Sequence, residues 1–368
     1  MVTSTGDADP TMAADTEAGL AALLALDEHL RRIDYTGPDP YDGLGARWSA
    51  KIPRGRPKQA VVQLIKRSPI DVRRPLGVPQ QRMTKTLSLA VLGLSQAGWL
   101  PDAKERAERL ADDILARRND DGGWGYEFDV QTRWGFYPAG SSNAIATAFA
   151  VEALHTVGRP IPVSVRAWIE RDLVHPEGFL RYTAGSNTLV HNANVLAARA
   201  LHRAGGRDEQ VIRAVQQTVN AQRSDGLWEY GTSPGLQWID SFHTVYTLWG
   251  LSDLEHLDPQ VAHAVEIGTA AWSAHCFGQR GEPLYYADKA GKVDVHTAAW
   301  ALLGAQGLCG RRDPSADLHT GKSLADLLSM QRAHGGFGSP GEPSYPRWSS
   351  AHAFFALARW ATHSGARP

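Results

Sequence analysis

A turn that recurs about every fifty residues constrains this chain more than any other feature. Arg118-Asn-Asp-Asp-Gly122-Gly-Trp124, Gln222-Arg-Ser-Asp-Gly226-Leu-Trp228 and Gln331-Arg-Ala-His-Gly335-Gly-Phe337 share one pattern: Gln or Arg, three residues, Gly, one residue, an aromatic ring. Weaker copies fall at Glu177-Gly178-Phe179 and Gly281-Glu282-Pro283-Leu284-Tyr285. A period of this length marks an array of supersecondary units, none of which can bury its apolar face alone. The glycine suits a tight reversal, and the aromatic suits a contact that pins one unit to the next.

Each turn leads into an apolar run at helical spacing. These runs are Asn143–Leu154, His191–Leu201, Phe242–Leu251, Val295–Leu303 and Ser349–Trp360, and a sixth, Thr84–Gln96, precedes the first clear turn. They lack a strongly polar face, so they read as buried inner helices. Amphipathic runs at 102–118, 162–171, 210–222, 259–277 and 323–331 read as exposed outer helices. Alternation of this kind, six times over, predicts an all-α fold, the (α/α)6 toroid. An open solenoid of helical pairs is the alternative. Residues 18–368 then form one domain behind a disordered tail at 1–17, with a basic, proline-studded arm at 34–80 wrapping the ring.

Composition narrows the function classes. The 368 residues are 43% hydrophobic and 21% charged, with a formal net charge of −1. Nothing in that balance calls for nucleic acid or an anionic membrane. The chain shows no apolar run of about 20 residues and no signal-peptide pattern, so a cytoplasmic location is expected. Its two cysteines, Cys276 and Cys309, form neither a CxxC zinc motif nor a disulfide framework. No glycine-rich phosphate loop follows a strand, so no cofactor is expected. The oligomeric state is not legible.

Loops entering the inner helices are long and chemically rich, whereas the opposite connections are short Gly/Pro turns. Binding groups gather where long loops meet a rigid scaffold. The residues entering the helices include Asn143, His191, Asn192, Asn194, Asp240, His243, Asp294, His296, Arg347 and Trp348; the preceding turns add Tyr126, Glu127, Asp129, Arg133, Trp134, Glu229, Tyr230, Trp238, Tyr285 and Tyr286. Ser, Asn and Asp before a helix are also ordinary N-caps. That role is assigned here to Ser142, Ser241 and Ser349, and it competes with chemistry at Asp240 and Asp294. Histidines 243, 296 and 352 recur at repeat spacing; with Asp240 or Asp294 they make zinc a second reading, although no local ligand motif is present.

The Gln222–Trp228 and Arg118–Trp124 turns resemble the QW repeats of the terpene cyclase and prenyltransferase toroid superfamily. Gly37-Pro-Asp-Pro-Tyr41-Asp42-Gly43-Leu44, Lys66-Arg-Ser-Pro-Ile70, His191-Asn192-Ala-Asn194, Trp238-Ile-Asp240-Ser-Phe-His243, Asp294-Val-His296 and Arg347-Trp348-Ser349 resemble the VpsJ-like polysaccharide biosynthesis proteins, from about Tyr35 to Trp360. That resemblance implies a setting of polysaccharide or glycosylated-product assembly and no particular reaction.

An enzyme acting on a sugar or glycan is the first expectation. Aromatic platforms at Trp124, Trp134, Trp228, Trp238 and Tyr286 suit sugar faces. His243 suits a general base oriented by Asp240, Arg347 suits a substrate carboxylate, and His296 stands nearby. Paired acids for a hydrolase would be Glu127 and Asp294. A terpene cyclase is the second reading, although in Asp294-Val295-His296-Thr297-Ala298 a histidine fills the proton donor's place. A non-catalytic glycan-binding scaffold is the third.

Overall fold

Helices without a polar face must be covered on every side, and here they cover one another. The computed structural model describes residues 10–68, 70–133, 135–309 and 315–367. Among these, the α-helices are α1 (Pro10–Arg32), α2 (Arg56–Lys66), α3 (Thr84–Gln96), α4 (Ala103–Ala116), α5 (Ala144–Thr156), α6 (Val163–Trp168), α7 (His191–Arg203), α8 (Asp208–Val219), α9 (Ser241–Ser252), α10 (Pro259–His275), α11 (Val295–Gly304), α12 (Ala316–Ser329) and α13 (Ala351–Ser364). The first eleven residues of each of α3, α5 and α7 are buried without exception. Helices α3, α5, α7, α9, α11 and α13 each pack on the next, and α13 packs on α3. The array is therefore a closed (α/α)6 toroid, not an open solenoid. A two-residue antiparallel pair, Val130–Gln131 with Phe136–Tyr137, is the one named sheet among the described residues.

The outer layer is α4, α6, α8, α10, α12 and α1. The sixth outer helix thus comes from the start of the chain, where α1 packs on α13 and α12. This corrects the expectation of a tail through residue 17, since the helix begins at Pro10; residues 1–9 lie outside the described residues.

The recurrent turn explains how neighbouring units are seated. Its glycine lies against the next outer helix. A Cβ on Gly122 would sit 2.2 Å from the Ser164 carbonyl on α6, and one on Gly335 would sit 2.4 Å from the Ala25 carbonyl on α1. Both residues also hold φ near +100°, at +108° and +90°, which L side chains rarely adopt. Gly226 abuts α10 and Gly281 abuts α12 in the same manner. The glutamine of the pattern bridges the two units. Gln222 Nε2 donates to the Gly226 carbonyl (2.8 Å) and to Ala264 on α10 (3.0 Å), while Gln331 Nε2 donates to Gly335 (3.1 Å) and to Ala22 on α1 (2.9 Å). The aromatic folds back under its own outer helix: Trp124 Nε1 donates to Ile114 O and Trp228 Nε1 to Thr218 O. These bonds add a second donor to carbonyls near the ends of α4 and α8, which also accept Arg117 N and Ala221 N.

The arm at 34–80 supplies one wall of the mouth. It carries short 3₁₀ turns at Asp42–Leu44 and Arg47–Lys51 before α2. Asp42 anchors it by accepting Arg73 Nε at 2.7 Å and, from the entry to α13, Arg347 Nη2. Buried Lys58 donates to Ser49 O (3.0 Å) and to Asp129 (3.4 Å). No described helix is long and apolar enough to cross a membrane.

Gly335→Ala should be the most disruptive of these turn substitutions, because it strikes the seam between the two chain ends. We expect a loss of about 3 kcal/mol or more, from the backbone clash and the unfavourable φ together. Denaturant melts combined with hydrogen exchange should show α1 losing protection first; uniform protection across α1 would contradict this account of closure.

Candidate active site

The inner helices all begin at the same end of the ring, so the turns before them converge on one mouth. There they enclose a cavity of about 1170 Å³. At the opposite end the chain is tied across by ion pairs: Arg199 Nη2 lies 2.9 Å from Glu152 and 2.6 Å from Asp253, and Arg203 Nε lies 3.0 Å from Glu152.

Of the residues expected at the site, Tyr126, Arg133, Tyr230, Trp238, Asp240, His243, Tyr286, Asp294, His296 and Trp348 line the cavity. Trp134 lies outside the described residues. Asp240 and Asp294 both cap their helices, accepting from His243 N (2.8 Å) and Thr297 N (2.8 Å). The serines assigned to capping do not do so: Asn143 caps α5, and Ser241 Oγ instead accepts Trp272 Nε1.

The remaining expected residues serve the scaffold. Met83, at the N-cap of α3, offers no capping side chain, and Glu127 Oε1 replaces it by accepting Thr84 N (2.6 Å) and Oγ1 (2.8 Å). Glu127 is therefore committed to a helix start, and the acid that acts on Asp294 across the cavity is Glu342 instead. Asp129 braces a loop through Ala139 N (2.9 Å) and Lys58. His191 turns outward to Thr218 Oγ1 (3.2 Å), and Asn194 stitches α7 to Leu180 N, Ala214 O and Thr218. Asn192 borders a small separate hollow beside Trp228 and Glu229. Arg347 is 1% exposed, paired with Asp42 and stacked over Phe128 at 5.1 Å, so it is a strut of the wall.

His243 and His296 differ by one position relative to their caps, and that offset separates their environments. His243 is three residues after Asp240, where its ring folds back so that Nδ1 meets Asp240 Oδ2 at 2.7 Å. The same carboxylate accepts Trp238 Nε1 at 2.9 Å. A carboxylate that accepts these bonds requires Nδ1 to carry the proton, which leaves Nε2 as the basic nitrogen. His296 is only two residues after Asp294 and turns to the next helix, where it stacks on His352 with centroids 4.1 Å apart. Its Nε2 lies 2.9 Å from the Tyr246 hydroxyl. His352 Nδ1 accepts Trp300 Nε1 at 2.9 Å.

Several residues that sequence reasoning missed dominate the walls. Tyr41, Tyr137, Tyr182 and Tyr345 join the expected Tyr126, Tyr230 and Tyr285 on the cavity. Tyr126 and Tyr182 share a 2.7 Å hydroxyl–hydroxyl bond, and Tyr230 stacks on Trp238 at 4.6 Å and 11°. Burial raises the pKa of Tyr126, Tyr182, Tyr230 and Tyr285, keeping them as neutral phenols. On the floor, Lys85 Nζ donates to Tyr246 (3.2 Å) and faces the rings of Phe149, Trp348 and Tyr246. The available signal was a lone lysine in an otherwise apolar inner helix. Among the described residues no group of three or more His, Cys, Asp or Glu is placed to hold a metal ion.

Burial holds His296 and His352 neutral, with pKa well below 6.5, and lowers His191 to about 4. Histidines with depressed folded pKa values bind fewer protons in the native state than in the unfolded one below the ordinary value. Stability is therefore full above about pH 6.5 and falls as pH drops from there. By about pH 5 the three together should cost several kcal/mol, up to roughly 2 kcal/mol each. Urea melts across this range should show it, and a flat profile down to pH 5 would mean that these rings are solvated.

No protein-family model and no curated protein sequence matches the chain. Solved structures do. The type II terpene cyclase MstE from Scytonema aligns with a TM-score of 0.58 at 14% identity, covering 95% of this chain and 99% of that one. A structure titled for UGL with dGlcA-Glc-Rha-Glc aligns at 0.61 and 9% identity, covering 95% and 97%. Cellobiose 2-epimerase from Bacillus thermoamylovorans aligns at 0.51 and 14% identity, covering 76% and 89%. At these identities the likeness establishes the shared toroid, whose structural neighbours include both cyclases and sugar-acting enzymes.

Proposed function

We propose that this toroid is an enzyme that acts on a sugar or glycan by acid/base chemistry at its mouth, with His243 as the base and Asp240 as the residue that orients it. The observation carrying this reading is the 2.7 Å His243–Asp240 bond set in the cavity wall beside the parallel Tyr230–Trp238 pair. Flat aromatic faces accept the C–H faces of a pyranose, and neutral phenols exchange hydrogen bonds with its hydroxyls. Nε2 of His243 would remove a proton from a ring carbon next to a carbonyl or carboxylate, and Asp240 would stabilise the imidazolium that forms. Epimerase or lyase chemistry follows from this arrangement more directly than hydrolysis by the expected acid pair, because Glu127 is bound to the start of α3 and does not line the cavity with Asp294. The VpsJ-like phrases support a place in polysaccharide or glycosylated-product synthesis.

The aromatic lining also favours one second reading, a terpene cyclase-like reaction. That chemistry needs an acid strong enough to protonate an alkene. His296 stands at the donor's place, where burial strips its proton. A carbocation would also face the Lys85 amino group among the same rings, a repulsive neighbour when protonated and a trapping nucleophile when neutral.

Asp240→Asn keeps an N-cap acceptor but would present an amide N–H to Nδ1, moving the imidazole proton to Nε2. We expect turnover to fall about 10²- to 10⁴-fold with little change in Tm. His243→Ala should do the same. The assay is solvent-deuterium exchange with uronate-bearing glycans, where label should enter at the carbon beside the carboxylate. Conversion of a polyprenyl diphosphate with no reaction on any glycan would overturn the carbohydrate reading in favour of the cyclase.

A further inference from the structure

The floor of the cavity holds a charge that the acid/base reading leaves unused. Lys85 is 4% exposed and is the second residue of α3, so it sits in the first turn of a helix. Three separate effects oppose an ammonium there. Burial removes its hydration, the helix N-terminus presents like partial charge, and no Asp or Glu among the described residues pairs with it. Asp39, across the arm, acts on it only through space. Its partners are the Tyr246 hydroxyl at 3.2 Å and the rings of Phe149 (4.8 Å), Trp348 (5.0 Å) and Tyr246 (5.4 Å).

A second observation points the same way. The Tyr246 hydroxyl bridges Lys85 Nζ at 3.2 Å and His296 Nε2 at 2.9 Å. The other ring nitrogen of His296, Nδ1, is buried and has no partner, on a ring that lines the cavity. Lys85, His296 with its unpartnered Nδ1, and Trp348 thus share one floor. Every titratable group facing Lys85 from a packed helix is uncharged or basic: Tyr246 from α9, His296 from α11 and His352 from α13.

We propose that Lys85 is the anion receptor of this cavity, drawing the carboxylate or phosphate of a substrate onto a floor completed by His296 and Trp348. The proposal rests on the carbohydrate reading for its substrate class: an acidic or phosphorylated sugar. It also moves the carboxylate-holding role from Arg347, which the wall consumes, to Lys85. The amine is held near neutrality in the empty site, with burial lowering its pKa to about 7, and a bound anion would restore its full charge.

Binding should therefore take up protons. Calorimetry of the full chain at about pH 8, in buffers of different ionisation enthalpy, counts them. The probes are glucuronate, inorganic phosphate and, as the neutral control, glucose. We expect glucuronate or phosphate to bind with close to one proton taken up, and Lys85→Met to weaken that binding about 10- to 100-fold while leaving glucose unchanged. Met matches the stem of Lys, and the wild-type proton count does not depend on that variant folding. Glucuronate binding identifies a carboxylate substrate, and phosphate binding alone identifies a phosphorylated one. His243→Ala should retain both binding and proton uptake while losing turnover, so failure of the base assignment remains separable from failure of the receptor. Undiminished anion binding in folded Lys85→Met, absence of proton uptake, or binding of glucose alone would each overturn the proposal.

Discussion

Ring closure by the two ends of the chain is the constraint on which everything else depends. Five of the six outer helices follow their inner partners along the chain, but α13 is covered by α1, the first described helix. Gln331 bonded to Ala22 O, and Gly335 seated against Ala25, join these ends with the same contacts that join consecutive repeats elsewhere. Without that seam the apolar faces of α13 and α3 would be exposed, and the mouth would lose its continuous wall. In an array where each unit touches only its neighbours, closure gives every inner helix a partner on both sides.

The arm matters for a related reason. Asp42 receives Arg73 from the arm and Arg347 from the entry to α13, so one buried carboxylate ties the cavity wall to the ring. A buried carboxylate between two guanidiniums is stable only when each partner is present; truncating Arg347 would leave Asp42 with half of its compensation. This is why the arginine that looked suited to a substrate is unavailable to one.

Much of the architecture was legible because it follows periodicity. The inner runs were found nearly to their ends, with Thr84–Gln96 matching α3, since a helix buried all round leaves an unbroken apolar record. Helix α1 escaped because it carries no turn before it and its role is set by a contact more than 300 residues away. The site was half legible. Asp240 with His243 stood three residues apart at a helix start, a local geometry that sequence can express. Glu127, Asn194 and His191 have equally suggestive chemistry, but their partners (Thr84, Leu180 and Thr218) lie in other elements. No local pattern distinguishes a polar residue that serves a neighbouring helix from one that serves a ligand. The tyrosine wall was read only in part: Tyr41, Tyr137, Tyr182 and Tyr345 follow no repeat-wide pattern, and only the ring brings them to Tyr126 and Tyr230.

The common direction of the inner helices has one more consequence. Six peptide dipoles point the same way along the axis, so the assembly is polarised like a single object: positive where the cavity opens, negative at the far end. The distribution of charged side chains follows this polarity. Asp240 and Asp294 sit at the positive end as caps, whereas Arg199 and Arg203 gather in the last turns of α7 at the negative one, held by Glu152 and Asp253. A group seated against the helix starts therefore rests on N–H ends, and one seated at the far end would rest on carbonyls.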